Sequence, residues 1–388
     1  MGKQSKKICV VTGSRADYSL LRRLMRTLND DSKFELQVIV TGEHLSTEFG
    51  LTSNAIEEDG FDISRKVEML LSADTASAIT KSTGIGLIGL ADAMAELDPN
   101  LVVILGDRFE MLAVSIAAYF ARIPIAHISG GETTTGAFDE AIRHSITKMS
   151  WWHFVAAEEY KNRVIQLGED PSRVFLVGGI GVENIVKTNL LPKNKLEKKI
   201  GFEFGKRNLL VTYHPVTLEQ NTEQKDFQAI LDTLAELKQT KVIFTFSNSD
   251  VGGRFIQKMI QKYVLDHQDT SIAIPTMGHL NYLSALQYVD GVIGNSSSGI
   301  SEVPSFNIGT INIGDRQTGR LKADSIIDCK PTKKSLQQAL KKLFSEDFQT
   351  KLLTLVNPYG DGSATDKIID VLRTNSFPNN VKKCFYDL

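Results

Sequence analysis

The sequence predicts an α/β protein built from two doubly wound domains, and three observations carry that prediction. Short apolar runs alternate with helical patterns along the whole chain. Most of these runs are continuously apolar rather than alternating, as parallel strands covered by helices on both faces must be. The 388 residues also exceed one ordinary core, which fits two domains of roughly 150–200 residues each.

In chain order, strands are predicted at Ile8–Thr12, Leu36–Thr41, Leu101–Leu105, Ile125–Ile128 and Val174–Val177. After the first strand, Leu21, Leu24, Met25 and Leu28 recur at helical spacing, with Arg22, Arg23 and Arg26 on the other side. Glu110–Ala121 and Asp139–Met149 are two further helices. The pattern then resets. The segment from Val186 to Arg207 holds Leu191-Pro192, a lysine-rich stretch and no clear strand. It reads as the linker into a second domain and that domain's first helix. A second strand series follows at Leu209–Tyr213, Val242–Phe246, Ser271–Ile274, Gly291–Ile293 and Thr310–Ile313. Ala364–Thr374 is a final helix, and Pro378–Leu388 reads as irregular. The domains are expected at 1–185 and 186–363.

Hydrophobic residues make up 42% and charged residues 23%, the balance of a packed globular protein. A net charge of -2 gives no general electrostatic reason to bind nucleic acid or an anionic membrane, though a local basic pocket for phosphate stays open. Cys9, Cys329 and Cys384 are scattered, with neither CxxC nor metal spacing, which suits a reducing cytoplasm. Met1 to Lys7 is polar and lacks the apolar stretch of a signal peptide, and no apolar run of membrane-spanning length follows.

Two open α/β sheets leave a cleft at the carboxyl ends of their strands, where ligands bind. The first strand ends in Gly13-Ser14-Arg15-Ala16-Asp17-Tyr18-Ser19. Free N–H groups at the helix start, with Arg15 and Ser19 as added donors, suit phosphate or ribose; a capped helix with a surface arginine fits equally well. It is not GxGxxG, so a dinucleotide site has little support. Asp107 and Arg108 follow the strand ending at Leu105, as a structural ion pair or as a catalytic carboxylate held in a cleft, and position favours the second.

Gly130-Gly131-Glu132 follows the next strand, and the paired glycines allow close approach of a ligand. Glu132 and Asp139 bracket a threonine-rich loop and can share a cavity with Asp107, where clustered carboxylates would raise one another's proton affinity. Glu140 is read as complementing the helix dipole, His127 as buried, and His144 as either packing or facing ligand. In the second half, Pro215 stops a strand and leaves His214 at its tip, able to place a proton or bind phosphate; a lone histidine more often has no such role. The strongest local signal is Gly294-Asn295-Ser296-Ser297-Ser298-Gly299, a plausible diphosphate cradle, with Glu302 on the ensuing helix to chelate a ribose diol. Arg316 adds a cation at the same edge. No metal or other cofactor is called for, and no GxSxG elbow supports a serine hydrolase.

Together, Gly13-Ser14-Arg15-Ala16-Asp17-Tyr18, Gly106-Asp107-Arg108, Gly130-Gly131-Glu132, Ile142-Arg143-His144-Ser145-Ile146-Thr147-Lys148, His214-Pro215-Val216-Thr217, Gly294-Asn295-Ser296-Ser297 and Gly314-Asp315-Arg316-Gln317 resemble the hydrolysing UDP-N-acetylglucosamine 2-epimerases. Within them the chain looks most like the bacterial enzymes that make N-acetylmannosamine for sialic acid. The resemblance implies two Rossmann-like domains in the glycosyltransferase-B arrangement, with the active site in the interdomain cleft. It also implies that the tail, 364–388, packs back on the first domain.

By motif position it places Arg15, Ser19, Arg108, Ser296, Ser297, Glu302 and Arg316 on UDP, and Asp17 in the sugar pocket. Asp107, Asp139 and His214 match acid–base or leaving-group positions. Many members carry a glutamate where this chain has Ser129, and Glu132 is the candidate replacement. The implied reaction removes the proton at sugar carbon 2 as UDP leaves carbon 1, giving a 2-acetamidoglucal. Water then adds at carbon 1, and a proton returns to carbon 2 on the opposite face. The implied partner is a UDP-sugar, and family analogy suggests a homodimer or homotetramer formed through the first domain. The closest rival substrate is UDP-N,N'-diacetylbacillosamine, feeding legionaminic acid. A non-catalytic UDP-sugar sensor is the rival of another class, and it would gain nothing from clustered carboxylates.

Overall fold

The computed structural model describes residues 5–48, 50–72, 75–133, 138–214, 220–246, 253–275, 277–378 and 380–388. The chain divides into two compact units, Met1–Asn184 with Tyr359–Leu388, and Ile185–Pro358.

The N-terminal unit runs β1 (Lys6–Thr12), α1 (Arg15–Asp30), β2 (Phe34–Thr41), α2 (Ser53–Glu58), β3 (Arg65–Val67), α3 (Ala76–Leu97), β4 (Leu101–Leu105), α4 (Phe109–Phe120), β5 (Ile125–Ile128), α5 (Phe138–Met149), β6 (Trp152–Val155), α6 (Glu158–Gln166), β7 (Val174–Leu176) and α7 (Ile180–Lys187), within which the boundary falls. Its seven strands are all parallel, in the order β3-β2-β1-β4-β5-β6-β7. Both faces are covered, which explains the unbroken apolar runs. Ile8 and Val10 of β1 join Leu21, Leu24 and Leu28 of α1 in one layer. Cys9 and Val11 point the other way, to Leu90 of α3 and Val114 of α4. Each such leucine, 0% exposed, contributes roughly 1.5–3 kcal/mol by leaving water.

The C-terminal unit runs α8 (Lys193–Ile200), β8 (Arg207–Thr212), α9 (Gln220–Ala235), β9 (Thr240–Thr245), α10 (Gly253–Asp266), β10 (Ser271–Ile274), α11 (His279–Leu286), β11 (Gly291–Gly294), α12 (Ser298–Ser301), β12 (Gly309–Ile313), β13 (Ile326–Cys329), α13 (Lys333–Leu343) and α14 (Glu346–Leu352). Its parallel sheet has the order β10-β9-β8-β11-β12-β13. Leu209 and Val211 face one layer with Phe227, and Leu210 faces the other with Leu196 and Leu283.

The fold class is therefore the doubly wound α/β class that the sequence predicts. All ten predicted strands are present, with ends displaced by no more than two residues, and β3, β6 and β13 are additional. The arginine face of α1 is not simply solvated: Arg22 pairs with Asp59 at 2.6 Å and Arg23 with buried Glu183 at 3.2 Å. No helix among the described residues is long and apolar enough to cross a membrane.

The last helix, α15 (Ala364–Thr374), lies in the N-terminal unit, with Ile368, Ile369 and Leu372 in the layer of α1. Beyond it the irregular end of the chain is fixed by side chains. Phe377 meets Trp152 edge to face at 5.4 Å between ring centroids. Lys383 reaches the fully buried carboxylate of Glu169 at 2.5 Å and the Ser150 carbonyl at 2.7 Å. Lys148 and His153 bond the same carboxylate, at 2.6 Å and 3.1 Å. Burial alone would raise Glu169, yet these three partners bring it down to about 2. Burial brings Lys383 down to about 8, still above neutral pH, so the pair is ionised at pH 7. Lys383→Ala leaves Glu169 two of its three partners, and is expected to cost about 1–3 kcal/mol in urea unfolding. An unchanged midpoint would mean that the Lys383 contacts contribute nothing to this unit's stability.

Candidate active site

In a doubly wound sheet, the strand order reverses between two neighbours, and the loops leaving their carboxyl ends diverge. In the N-terminal unit this point lies between β1 and β4. The loop after β4 carries Asp107 and Arg108. His127 of β5 supports it from below: its Nε2 lies 2.8 Å from the Gly106 carbonyl, which can only accept, so the ring proton sits on Nε2. Complete burial holds this imidazole neutral by pushing it down to about 3.

Asp107 accepts a short hydrogen bond from Nη2 of Arg143, a side chain only 7% exposed on α5. Nη1 of the same guanidinium donates to the Ser129 carbonyl at 2.7 Å and lies 3.9 Å from Glu132. Asp139, one helical turn before Arg143 and in the first turn of α5, shares that helix face. The group of carboxylates expected here has a cation at its centre. Asp107 and Glu132 both face a buried cation that the sequence reading left without a role. Glu140 pairs instead with His144, at 3.2 Å along the helix.

The paired glycines also act otherwise than expected. A side chain at Gly131 would stand 2.3 Å from the Tyr160 carbonyl, so it is α6, not a ligand, that makes the close approach. Ser129 holds a left-handed backbone, φ +67, two residues earlier. Non-glycine residues in that conformation concentrate at functional sites.

At the end of β1, Ser14 caps α1 by accepting from the Asp17 N–H at 3.3 Å, and Arg15 is exposed. Ser19 lies a full turn into the helix, exposed, and its hydroxyl donates to the Ala16 carbonyl at 2.7 Å with its lone pairs left to accept. One oxygen of Asp17 is buried without a hydrogen-bond partner. Burial raises this carboxyl above its usual range, against the opposing pull of Ser14 and Arg108. Arg108 itself is held by Glu110 and Glu43.

The C-terminal unit has its reversal between β8 and β11. There the backbone of Gly294, φ +147, passes so close to the Thr212 carbonyl that a Cβ would sit 1.7 Å from it. Asn295 follows, 1% exposed, and ties three loops together. Its Oδ1 accepts from the His214 N–H at 2.7 Å and its Nδ2 donates to the His214 carbonyl at 2.8 Å. Its own carbonyl accepts from Arg316 at 3.0 Å and Gln317 at 2.9 Å. Asn295 was quoted in the sequence motif without a role; its position after Gly294 was the available signal. Pro215, Val216 and Thr217 lie outside the described residues.

The serines divide in two. Ser298 donates to Glu302 at 2.6 Å and meets the Tyr282 hydroxyl at 2.7 Å, so it is engaged within the protein. Ser296 and Ser297 precede the short α12, and Ser297 makes no side-chain cap bond. Glu302 caps the carboxyl end of the ensuing helix, α12, just before a 3-10 turn over Val303–Phe306. Among the described residues, no group of three or more His, Cys, Asp or Glu could hold a metal ion.

The loop between Ser129 and Gly131 yields a test. Gly131→Ala adds a Cβ at positive φ against backbone, and is expected to cost roughly 2–4 kcal/mol. Ser129→Gly keeps the bond from its N–H to the Phe154 carbonyl, 3.0 Å, and that from Arg143 to its carbonyl, and is expected to move stability by less than about 1 kcal/mol. Urea unfolding of the two variants checks the pair; equal losses would contradict this account of the loop.

Residues 26–373 match the family described as UDP-N-acetylglucosamine 2-epimerase. A Campylobacter jejuni protein named GDP/UDP-N,N'-diacetylbacillosamine 2-epimerase (hydrolyzing) is 42% identical over 384 residues, covering 99% of both chains. The Escherichia coli polysialic acid biosynthesis protein P7 is 37% identical, covering 99% of this chain and 98% of that one. A Legionella pneumophila UDP-N,N'-diacetylbacillosamine 2-epimerase (hydrolyzing) is 36% identical, covering 95% and 96%. The fold is also that of the Neisseria meningitidis UDP-GlcNAc 2-epimerase bound to UDP-GlcNAc, with a TM-score of 0.78 at 18% identity, over 95% of this chain and all of the other. The chain belongs to the UDP-N-acetylglucosamine 2-epimerase family.

Proposed function

We propose that this protein is a hydrolysing 2-epimerase of a UDP-linked 2-acetamido sugar, and that the sugar is N,N'-diacetylbacillosamine. The substrate choice is carried by two relatives matched over at least 95% of this chain, at 42% and 36% identity, whose names give that activity. UDP-N-acetylglucosamine, which the sequence reading puts first, is the second reading. It is favoured by the family description and by the relative named for polysialic acid biosynthesis.

In this proposal Asp107, oriented by Arg143, takes the proton from carbon 2 as the bond from carbon 1 to the diphosphate oxygen breaks. The hydrogen at carbon 2 is weakly acidic, so its removal is coupled to the departure of a stabilised leaving group. On the C-terminal unit, Arg316 with Ser296 and Ser297 holds the diphosphate and offsets its growing charge. Glu302 accepts from the ribose hydroxyls, and His214, fixed at its backbone by Asn295, serves the leaving oxygen. On the N-terminal unit, Arg15, Ser19 and Arg108 complete the UDP contacts, with Ser19 acting as acceptor, and Asp17 faces the sugar. Water then gives its hydroxyl to carbon 1. Asp139 or Glu132 returns a proton to carbon 2 from the other face, so the products are UDP and the free manno-configured sugar.

Incubation with UDP-N,N'-diacetylbacillosamine, its GDP analogue and UDP-N-acetylglucosamine, followed by NMR, is expected to show free 2-epimerised sugar most rapidly from the first. Faster release from UDP-N-acetylglucosamine would move the assignment to the second reading. Accumulation of an epimerised UDP-sugar would remove hydrolysis from it. Asp107→Asn is expected to lower kcat at least about 100-fold while calorimetric UDP affinity stays within about threefold. Normal turnover in that variant would take Asp107 out of the mechanism.

A further inference from the structure

Arg108 is the N-cap of α4, with extended backbone at φ -71 and ψ 156. Residues two apart within a helix do not face each other. The extended cap lets Arg108 fold back onto Glu110 all the same. Its Nε donates to one oxygen of that carboxylate at 3.1 Å and its Nη2 to the other at 2.9 Å. Glu110 is fully buried, so one edge of the guanidinium is clamped from beneath by a fork of two charge-assisted bonds.

The second carboxylate differs in kind. Glu43, on the 3-10 turn Gly42–Leu45 after β2, has a side chain 27% exposed and accepts a single bond, from Nη2 at 2.8 Å. Nη1 makes no hydrogen bond to any described residue, and the arginine side chain is 39% exposed. The guanidinium thus has a fixed edge, an edge with one exposed occupant, and an open corner between that edge and solvent. Two carboxylates on one guanidinium leave the trio formally negative, which opposes an approaching anion for as long as Glu43 stays in place.

We propose that Glu110 is a positioning residue for the reaction: it holds Arg108 by the Nε edge so that Nη1 is aimed at the substrate's anionic group, while Glu43 keeps the place on Nη2 that a ligand oxygen takes over. This rests on the assignment of Arg108 to UDP made above. Neutralising the two carboxylates therefore has opposite effects. Glutamine at 110 accepts one bond in place of two, and the guanidinium then follows Glu43. Glutamine at 43 removes a competitor for the ligand and leaves the fork intact.

The test uses the full chain, with kcat and KM on the substrate identified by NMR, UDP affinity by calorimetry, and melting temperature measured beside them. Glu110→Gln is expected to lower kcat/KM roughly 30-fold or more, and Glu43→Gln to tighten UDP binding about threefold. Arg108→Gln should be as impaired as the double variant Glu110→Gln/Arg108→Gln, because Glu110 then has no arginine to act through. The double variant removes both charges of the pair, so this comparison survives if Glu110→Gln alone fails to fold. Wild-type kcat/KM in Glu110→Gln would overturn the proposal. So would a double variant tenfold worse than Arg108→Gln, or a loss of UDP affinity in Glu43→Gln. Failure of the functional reading looks different: the unaltered protein would release sugar from no nucleotide sugar tested. Weaker UDP binding in Glu110→Gln beside tighter binding in Glu43→Gln would then still support the two roles, and any other pattern would overturn them.

Discussion

A guanidinium taken out of water must be met by oxygen atoms, and in the N-terminal unit Arg143 imposes that requirement on two loops at once. It draws the Asp107 carboxylate from the loop after β4, and the Ser129 carbonyl and Glu132 from the loop after β5. The left-handed backbone at Ser129 is the one that aims its carbonyl at the arginine, and Gly131 lets the same loop run against α6. Asp139 inherits its direction from Arg143 by sitting one turn away on α5. The placement of these acidic side chains therefore follows from one buried cation and from the helix that carries it.

The C-terminal unit meets the same need without a charge. Asn295 offers a donor and an acceptor, and both are spent on the backbone of His214, while its own carbonyl gathers Arg316 and Gln317. Such a residue fixes the backbone of His214 and ties it to the loop that carries Arg316 and Gln317. Gly294 makes the arrangement possible, because only a residue without a Cβ can cross the end of β8 so closely. Asn295 stands where its sheet reverses strand order, between β8 and β11, and Arg143 reaches the loop of β4, one of the two strands at the reversal of the other sheet.

The layered architecture was legible in the chain because strands covered on both faces are unbroken apolar runs, and β4, β5 and β10 stand where the pattern puts them. The strands that escaped notice are those whose composition hides the pattern. β3 is Arg65-Lys66-Val67 at a sheet edge, where charged residues are tolerated on a strand paired on one side only. β6, Trp152–Val155, is only four residues long and carries His153 within it, so no long apolar run marks it. β13 carries Asp328, which bonds Asn312 and Lys322. The loops after the strands were legible as loops, but their internal partners were not. Arg143, Glu43 and Glu110 gain meaning only from contacts such as that between positions 43 and 108, which sequence spacing does not reveal. Ser19 also has a partner that spacing did not reveal. A hydroxyl near a helix start looks like a donor for a ligand until the helix is seen to take its hydrogen.

The central claim is chemical: acidic side chains on the N-terminal unit exchange the hydrogen at carbon 2 of a nucleotide-linked amino sugar with solvent. Turnover in heavy water, followed by mass spectrometry and NMR of the released sugar, tests it most directly. The account predicts one deuterium per product molecule, at carbon 2. Product that keeps its original hydrogen at that carbon would contradict it.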